Sequence, residues 1–554
     1  MSLSSILEDG AAPETQSQEP RRKTVGFVSL GCPKNLVDSE VMMGLLDRGG
    51  AQLTPRAEDA DILVVNTCSF IDSAKQESVD TILEMVQHKI ANGGRAQRLI
   101  VAGCLVERYR DEIRKNIPEV DAVVGTGELE AILEAAGLSK PSEAASNSPF
   151  AILTTAQIER HASSVNQHSR PDTISSQISH ETASRPEGDA REAAGRFSRE
   201  AWDGSAAALP SYLYSDETPR ILTTPRSSAY IKIAEGCDHP CSFCIIPQLR
   251  GKFRSRPLAS IVAEAKSLIA QGVREITLIG QDTTCYGEDL PPSLPKNPGA
   301  PHLNSEIWVS TEPEAELRRP ELADLLDALA PLPGLKWLRF LYAYPNKITT
   351  RLLESIAAHD TVAKYLDVPL QHASTNVLKR MRRGGTSARF LEIIAKARAI
   401  VPGLVLRTSF IVGFPGETDA DFDELCDFIS AARIDWLGVF SYSDEEGAGA
   451  FDLDQKVPKR TIEARRRKLM KLQQKISKQA RKQWIGRELE ILVEGESDET
   501  ELLWQGRSLD QAPEIDGKVL INDFGPHEAL VPGTFYRVQI TESHDYDVVA
   551  RIIE

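Results

Sequence analysis

Three cysteines, Cys32, Cys68 and Cys104, stand 36 residues apart, and each directly follows a short run rich in Val, Ile and Leu: "VGFVSLGC", "ILVVNTC" and "LIVAGC". Between these runs lie helical patterns. "NLVDSEVMMGLLDRGG" puts Val37, Val41, Leu45 and Leu46 on one helical face with Gly49 as a stop; Asp72–Ala91 repeats the pattern through Val79, Ile82, Leu83, Val86 and Ile90; and a third helix is predicted over Val106–Asn116. Nearly continuous apolar strands alternating with helices predict a parallel sheet covered on both faces. Such sheets bind ligands beyond the carboxyl ends of their strands. All three cysteines fall there, so the fold gathers distant thiols onto one edge. The alternative is plain packing, because free Cys is often buried as a small hydrophobe.

From Ala229 the alternation resumes in six strand candidates, "YIKIAE", "EITLIGQ", "LKWLRFLYA", "KYLDVPLQ", "LVLRTSFIVG" and "WLGVFSY", which suit a partial or complete parallel barrel with its site at the C-terminal mouth. Just after the first of them, "EGCDHPCSFCIIPQLRGKFRSRP" carries Cys237, Cys241 and Cys244 in the spacing C-x3-C-x2-C. Three thiolates on a tight loop can hold three corners of a four-iron four-sulfur cluster. Full ligation uses four thiolates, so one iron stays open for a small molecule. Zinc fits less well, since structural zinc prefers four closed ligands and no second cysteine pair is near. His239 reads as a loop residue.

The chain has 554 residues, eight cysteines and a net charge of −16. Eight are too few for a secreted disulfide scaffold of this size. The first 22 residues lack an apolar signal core, and no stretch of about 18 apolar residues could cross a bilayer, so a soluble cytoplasmic protein without a membrane partner is expected. Residues 139–205 contain 13 Ser but only 8 Ile, Leu, Val or Phe, a composition of low order; "GEDLPPSLPKNPGAPHLNSEIWVSTEPE" reads as a long Pro-rich loop. Residues 458–484 hold 11 Lys/Arg against one acid and look like one exposed helix, more often a solvated face than a nucleic-acid contact. Close-spaced strand signals beyond it suggest a small β-barrel, carrying 16 acids against 5 bases over residues 485–554, a balance that would repel RNA and attract a basic protein. The expected division is a tail at 1–22, an N-terminal domain at 23–138, a low-complexity insertion or linker at 139–225, a barrel with its connecting basic helix at 226–484 and a C-terminal barrel at 485–554.

The cysteine spacing, with Phe243 just before the last Cys, resembles the radical S-adenosylmethionine signature. The order "SLGCPKNLVDSE", "NTCSFIDSAKQES", "AGC", "EGCDHPCSFCIIPQLRGKFRSRP" and "RTSFIVGFPGET", with a TRAM-like terminal barrel (OB-like), resembles the methylthiotransferases over residues 23–138 and about 226–554. Within them, "CPKN", "FIDSAKQES", "YLDVPLQHAS" and "FSYSDEEGAGA" are similar to the branch that methylthiolates an aspartate of small-subunit ribosomal protein S-twelve. The resemblance implies an α/β enzyme with a doubly wound sheet, a radical-SAM partial TIM-like barrel and a TRAM domain. It implies two 4Fe-4S clusters, on Cys32, Cys68 and Cys104 and on Cys237, Cys241 and Cys244, with S-adenosyl-L-methionine beside Phe243. No catalytic residue beyond the cluster ligands is implied. Ribosomal protein S-twelve would be the substrate, and flavodoxin or ferredoxin the electron donor. The rival activity is methylthiolation of a tRNA adenosine; a non-catalytic iron-sulfur or RNA-binding module is disfavoured by two open clusters. Cys426 reads as packing, Cys285 has no evident duty, and "IVGFPGE" either seats the adenosyl group or is an ordinary turn.

Overall fold

The structure, a computed structural model, describes residues 21–138, 150–152, 209–295, 317–498 and 500–554. In the N-terminal domain β1 (Thr24–Ser29), β2 (Gln52–Thr54), β3 (Ile62–Thr67), β4 (Arg98–Gly103) and β5 (Ala122–Val124) form one parallel sheet in the order β2-β1-β3-β4-β5. The alternation of β3 shows why its apolar run is unbroken. Ile62 and Val64 pack with Val37 and Val41 of α1 (Pro33–Arg48), while Leu63 and Val65 pack with Val79 and Ile82 of α2 (Asp72–Val86) and with Leu105 and Ile113 of α3 (Cys104–Asn116). Gly49 caps α1 as expected; α2 ends five residues short of Ala91, and α3 starts two residues early, on Cys104 itself.

The barrel strands are β6 (Ser228–Lys232), β7 (Glu275–Ile279), β8 (Trp337–Phe340), β9 (Tyr365–Asp367), β10 (Val405–Val412) and β11 (Trp436–Ser441). They pair in parallel as two groups of three, joined by the bridge Leu338↔Val362, and among the described residues no pairing closes β11 onto β6. The barrel is therefore partial. Ala229 and Ile231 face the covering helices, whereas Tyr230, Ile279, Tyr365 and Trp436 face inward and pack with Val37 and Val41 of α1 and with Ala512. An open barrel exposes its inner wall; here α1 covers part of it. This explains an α1 whose Asn35, Asp38, Ser39 and Glu40 are all buried.

Two sequence expectations need correction. The linker expected to run to 225 packs from Pro210 on: Arg220–Leu222 pairs in parallel with Phe150–Ile152, and Arg220 lies fully buried with Glu40 at 2.6 Å and Glu264 at 2.7 Å. Gly44 of α1 permits this, because a Cβ there would meet the Pro219 carbonyl carbon at 2.4 Å. The rest of 139–225, and most of the Pro-rich loop, lie outside the described residues. The basic helix α4 (Lys459–Lys482) is not simply exposed, since Ile462, Arg465, Leu469, Gln473, Ser477 and Arg481 form a buried stripe at helical spacing. Charge alone hid it, because Arg465 and Arg481 are buried as ion-pair and cation-π partners, Arg481 lying 3.8 Å from the Trp436 ring.

The C-terminal strands β12 (Glu488–Ser497), β13 (Thr500–Ser508), β14 (Val519–Asp523), β15 (Phe535–Ser543) and β16 (Val548–Ile552) close a barrel in the order β12-β13-β14-β16-β15. It docks on the N-terminal ends of the central strands: Arg507 pairs with Glu275 at the start of β7 and reaches Ser228 at the start of β6 at 3.1 Å. Part of its acidic excess is spent internally. Glu494 binds Arg507 at 2.7 Å, Glu490 binds Lys336 at 2.6 Å and Asp516 accepts from Tyr365 at 2.6 Å.

Removing one partner of a buried ion pair strands the other charge. Arg220→Met is expected to cost about 3–5 kcal/mol in the transition that unfolds the N-terminal domain, read by urea denaturation; a change within error would show that the 209–225 segment does not hold α1.

Candidate active site

β1, β3 and β4 are neighbours, so their carboxyl ends lie side by side. Cys32 is the N-cap of α1, Cys68 follows β3, and Cys104 opens α3. The glycines before two of them are required by geometry. Gly31 has φ +92° and a Cβ there would lie 2.8 Å from Cys68 Cβ; Gly103 has φ +93° and a Cβ there would lie 2.3 Å from Asn66 Oδ1. Asn35 and Asn66 brace the turns: Asn35 donates to the carbonyls of Leu30 (2.6 Å) and Thr67 (3.3 Å), and Asn66 to the Asn35 carbonyl (2.9 Å) and Ser39 Oγ (2.8 Å).

The three thiols feel one another. Burial pushes Cys68 far up, and negative charge on Cys104 and Cys32 adds to it; burial pushes Cys104 up to about 11, with the Arg250 guanidinium opposing and Cys32 adding. In the barrel loop burial likewise raises Cys237 to about 11, with Asp282 and Cys241 adding, and Cys244 to about 12, with Cys241 and Cys237 adding. Cys68 and Cys104 in one trio, and Cys237 and Cys244 in the other, are thus desolvated thiols that disfavour ionisation without a cation and would ionise readily against one. That donor chemistry fits iron in both places. One guanidinium N–H points at each trio: Arg250 Nη2 at Cys104 Sγ (3.4 Å) and Arg383 Nη1 at Cys241 Sγ (3.6 Å).

A buried charged layer joins the two trios. Asp38 of α1 takes both Lys232, the last residue of β6, and Arg250; Lys232 also binds Glu235, two residues before Cys237, and Gln281 donates to the same Glu235. Burial raises the Glu235 carboxyl, but the cations of Lys232 and Arg250 outweigh it and hold the group well below its usual range. Arg250 reaches Asn35 Oδ1 at 3.2 Å as well as Cys104. On the other side, Glu445 beyond β11 binds Arg108 of α3 at 2.8 Å and Lys75 of α2 at 3.0 Å. The N-terminal strand ends therefore face the barrel mouth, with Lys34 between them: its ammonium lies 3.0 Å from the centroid of the Tyr342 ring, and burial pulls it down to about 8.

The other sequence candidates fall as follows. Phe243 packs against an apolar cluster of Val377, Met381, Phe414 and Ala450. The "IVGFPGE" turn ends β10, where Glu417 accepts the Phe414 N–H (3.2 Å) and binds Arg465 of α4 (3.0 Å). Cys426 packs half-buried against the barrel core. His239 is more than a loop residue, since it bonds Asp282 at 2.6 Å and stacks on Tyr344 at 3.9 Å; Cys285 donates to the same Asp282 at 3.1 Å. Sequence reading missed Asp38, Glu235, Arg250, Asp282 and Arg383, which sit at no diagnostic spacing and meet only in three dimensions.

A parallel sheet with three strand-end cysteines, set over a partial β/α barrel with C-x3-C-x2-C at its mouth, defines a radical S-adenosylmethionine enzyme with a second cysteine site. The chain matches the Radical SAM superfamily over residues 231–429, the TRAM domain over 485–553 and the uncharacterized protein family UPF0004 over 24–125. It is 61% identical to the ribosomal protein uS12 methylthiotransferase RimO of Koribacter versatilis (strain Ellin345), over 98% of this chain and 100% of that one. The RimO proteins of Solibacter usitatus (strain Ellin6076) and Myxococcus xanthus (strain DK1622) are 50% and 42% identical, over 96% of this chain and 94% and 92% of theirs. Among solved structures, the radical S-adenosylmethionine methyltransferase TsrM of Kitasatospora setae aligns with TM-score 0.42 at 15% identity, covering 76% of this chain and 75% of that one. The chain belongs to the RimO family of ribosomal protein uS12 methylthiotransferases.

In cluster-free protein, alkylation at neutral pH should modify exposed Cys32 at least about tenfold faster than Cys68, whose thiol is buried and pushed up. Peptide mass spectrometry reads the order; equal rates would show that the strand-end thiols do not sit as described.

Proposed function

We propose that this chain adds a methylthio group to the β-carbon of an aspartate in small-subunit ribosomal protein uS12, the protein S-twelve. The observation that supports it most is the pair of three-cysteine sites facing each other across one charged layer, in a chain whose relatives carry that name. Two 4Fe-4S clusters and S-adenosyl-L-methionine, when bound, supply the one-electron chemistry that an unactivated C–H bond demands, and the sulfur. Cys237, Cys241 and Cys244 would hold the first cluster, and Cys32, Cys68 and Cys104 the second. Neither trio has a fourth protein thiolate beside it in sequence, which leaves room for a small ligand at each. Arg383 and Arg250 place N–H donors against one sulfur of each trio, and α1 with the Asp38 layer keeps the two mouths opposed. An electron donor such as flavodoxin or ferredoxin would meet the outer surface. Among the described residues no helix is long and apolar enough to cross a membrane; a substrate in the small ribosomal subunit would place its action in the cytoplasm.

Anaerobic reconstitution should give about eight irons per chain, and Ala at Cys237, Cys241 and Cys244 should remove about half of them and abolish S-adenosylmethionine cleavage. Replacing Cys32, Cys68 or Cys104 should leave 5′-deoxyadenosine formation measurable while methylthio transfer disappears. Full iron and cleavage in the first variant would overturn the cluster assignment. The substrate is tested by giving the reconstituted enzyme purified uS12 and bulk tRNA in parallel and weighing the products; a methylthiolated adenosine with unmodified uS12 would replace this reading with the tRNA one.

A further inference from the structure

Lys34 is buried, 8% exposed, yet among the described residues its ammonium has no hydrogen-bond or ion-pair partner; its contact is the face of Tyr342. The charged groups that act on it are committed elsewhere: Asp367 binds Arg407 at 2.8 Å, Glu235 binds Lys232, and Arg250 binds Asp38. Cys32, the remaining neighbour, belongs to the N-terminal trio. A buried cation without an anion is costly unless a ligand completes it. The backbone around it is also built for a purpose. Tyr342, just past the end of β8, holds φ +67°, a conformation strained for a side chain of its size, and is pinned there by its N–H to Asp367 (3.0 Å) and its carbonyl from the Thr283 N–H (3.1 Å). The ring so fixed shelves the ammonium 3.0 Å above it, at the boundary between the N-terminal cysteine edge and the barrel mouth.

We propose that Lys34 is the carboxylate-binding residue of the substrate site, its ammonium pairing with the side-chain carboxylate of the target aspartate. This rests on the proposed function and adds the basis of its residue selectivity. Fixing the carboxylate fixes the adjacent β-carbon one bond away, between the two trios. An asparagine in its place would leave the ammonium facing a neutral amide, and a site built around a buried polar group rejects the ligand that fails to satisfy it.

The test uses cluster-loaded holoenzyme and synthetic peptides of the uS12 loop carrying the target residue as Asp or as Asn, with affinity measured by anisotropy and modification by mass spectrometry. Wild type should bind the Asp peptide about 30-fold or more tighter than the Asn peptide, the loss expected when one partner of a buried charge pair is neutralised. In Lys34→Gln, and in Lys34→Met should the first not fold to normal iron content, the ratio should fall below about 3-fold. Equal affinity of wild type for the two peptides, or a Lys34→Gln ratio as large as that of wild type, overturns the assignment while leaving uS12 modification intact. Wild type that neither binds nor modifies the Asp peptide, yet methylthiolates tRNA, overturns the proposed function and this inference with it.

Discussion

Asp38 is the contact on which the arrangement turns. One carboxylate on the first helix of the N-terminal domain takes a lysine from the end of the first barrel strand and an arginine from the end of the cysteine loop. Burying three such charges far from water is costly, and opposite charges offset that cost only when the geometry is good and every remaining donor is used. Lys232 therefore also binds Glu235, and Arg250 also binds Asn35 and Cys104. A layer so interlinked tolerates few relative positions of the two domains. It gives specificity of placement more than stability, and placement is what two facing cysteine sites need.

The same logic explains the open barrel. Six strands that do not close among the described residues leave an inner wall that must be covered, and α1 and the segment around Ala512 pack against it. The C-terminal barrel holds the opposite end of the strands through Arg507 and Glu275, away from the cysteines. Its acids thus serve structure in part. A substrate-steering role read from their number alone overlooks that Glu494, Glu490 and Asp516 already have partners.

Much of the site was legible because β/α folds put strand ends to use. An apolar run followed by Gly-Cys or Thr-Cys states both the strand and where its last residue points, and C-x3-C-x2-C after another strand does the same at the barrel mouth. What escaped was everything decided by tertiary burial. The polar positions of α1, Asn35, Asp38 and Glu40, look like a solvent face until the barrel is placed over them. Arg220 follows a Ser-rich stretch and so reads as linker, though Glu40 and Glu264 bury it; Arg465 and Arg481 are lost within a run of like charges whose exposed members truly are solvated. Lys34 was visible only as part of a family-like "CPKN", and nothing in the sequence says that its ammonium rests on an aromatic ring 308 positions later.

Hydrogen exchange on the full chain, comparing wild type with Asp38→Asn, tests most directly whether the charged layer holds the two sites together. If it does, amides of α1 and of the Cys237–Arg250 loop lose protection together, by about tenfold or more, while β12–β16 keep theirs, because local opening reports the contacts of the element that opens. Unchanged protection in α1, or a loss confined to the turn around residue 38, would contradict it and would mean that the two cysteine sites are set by some other contact.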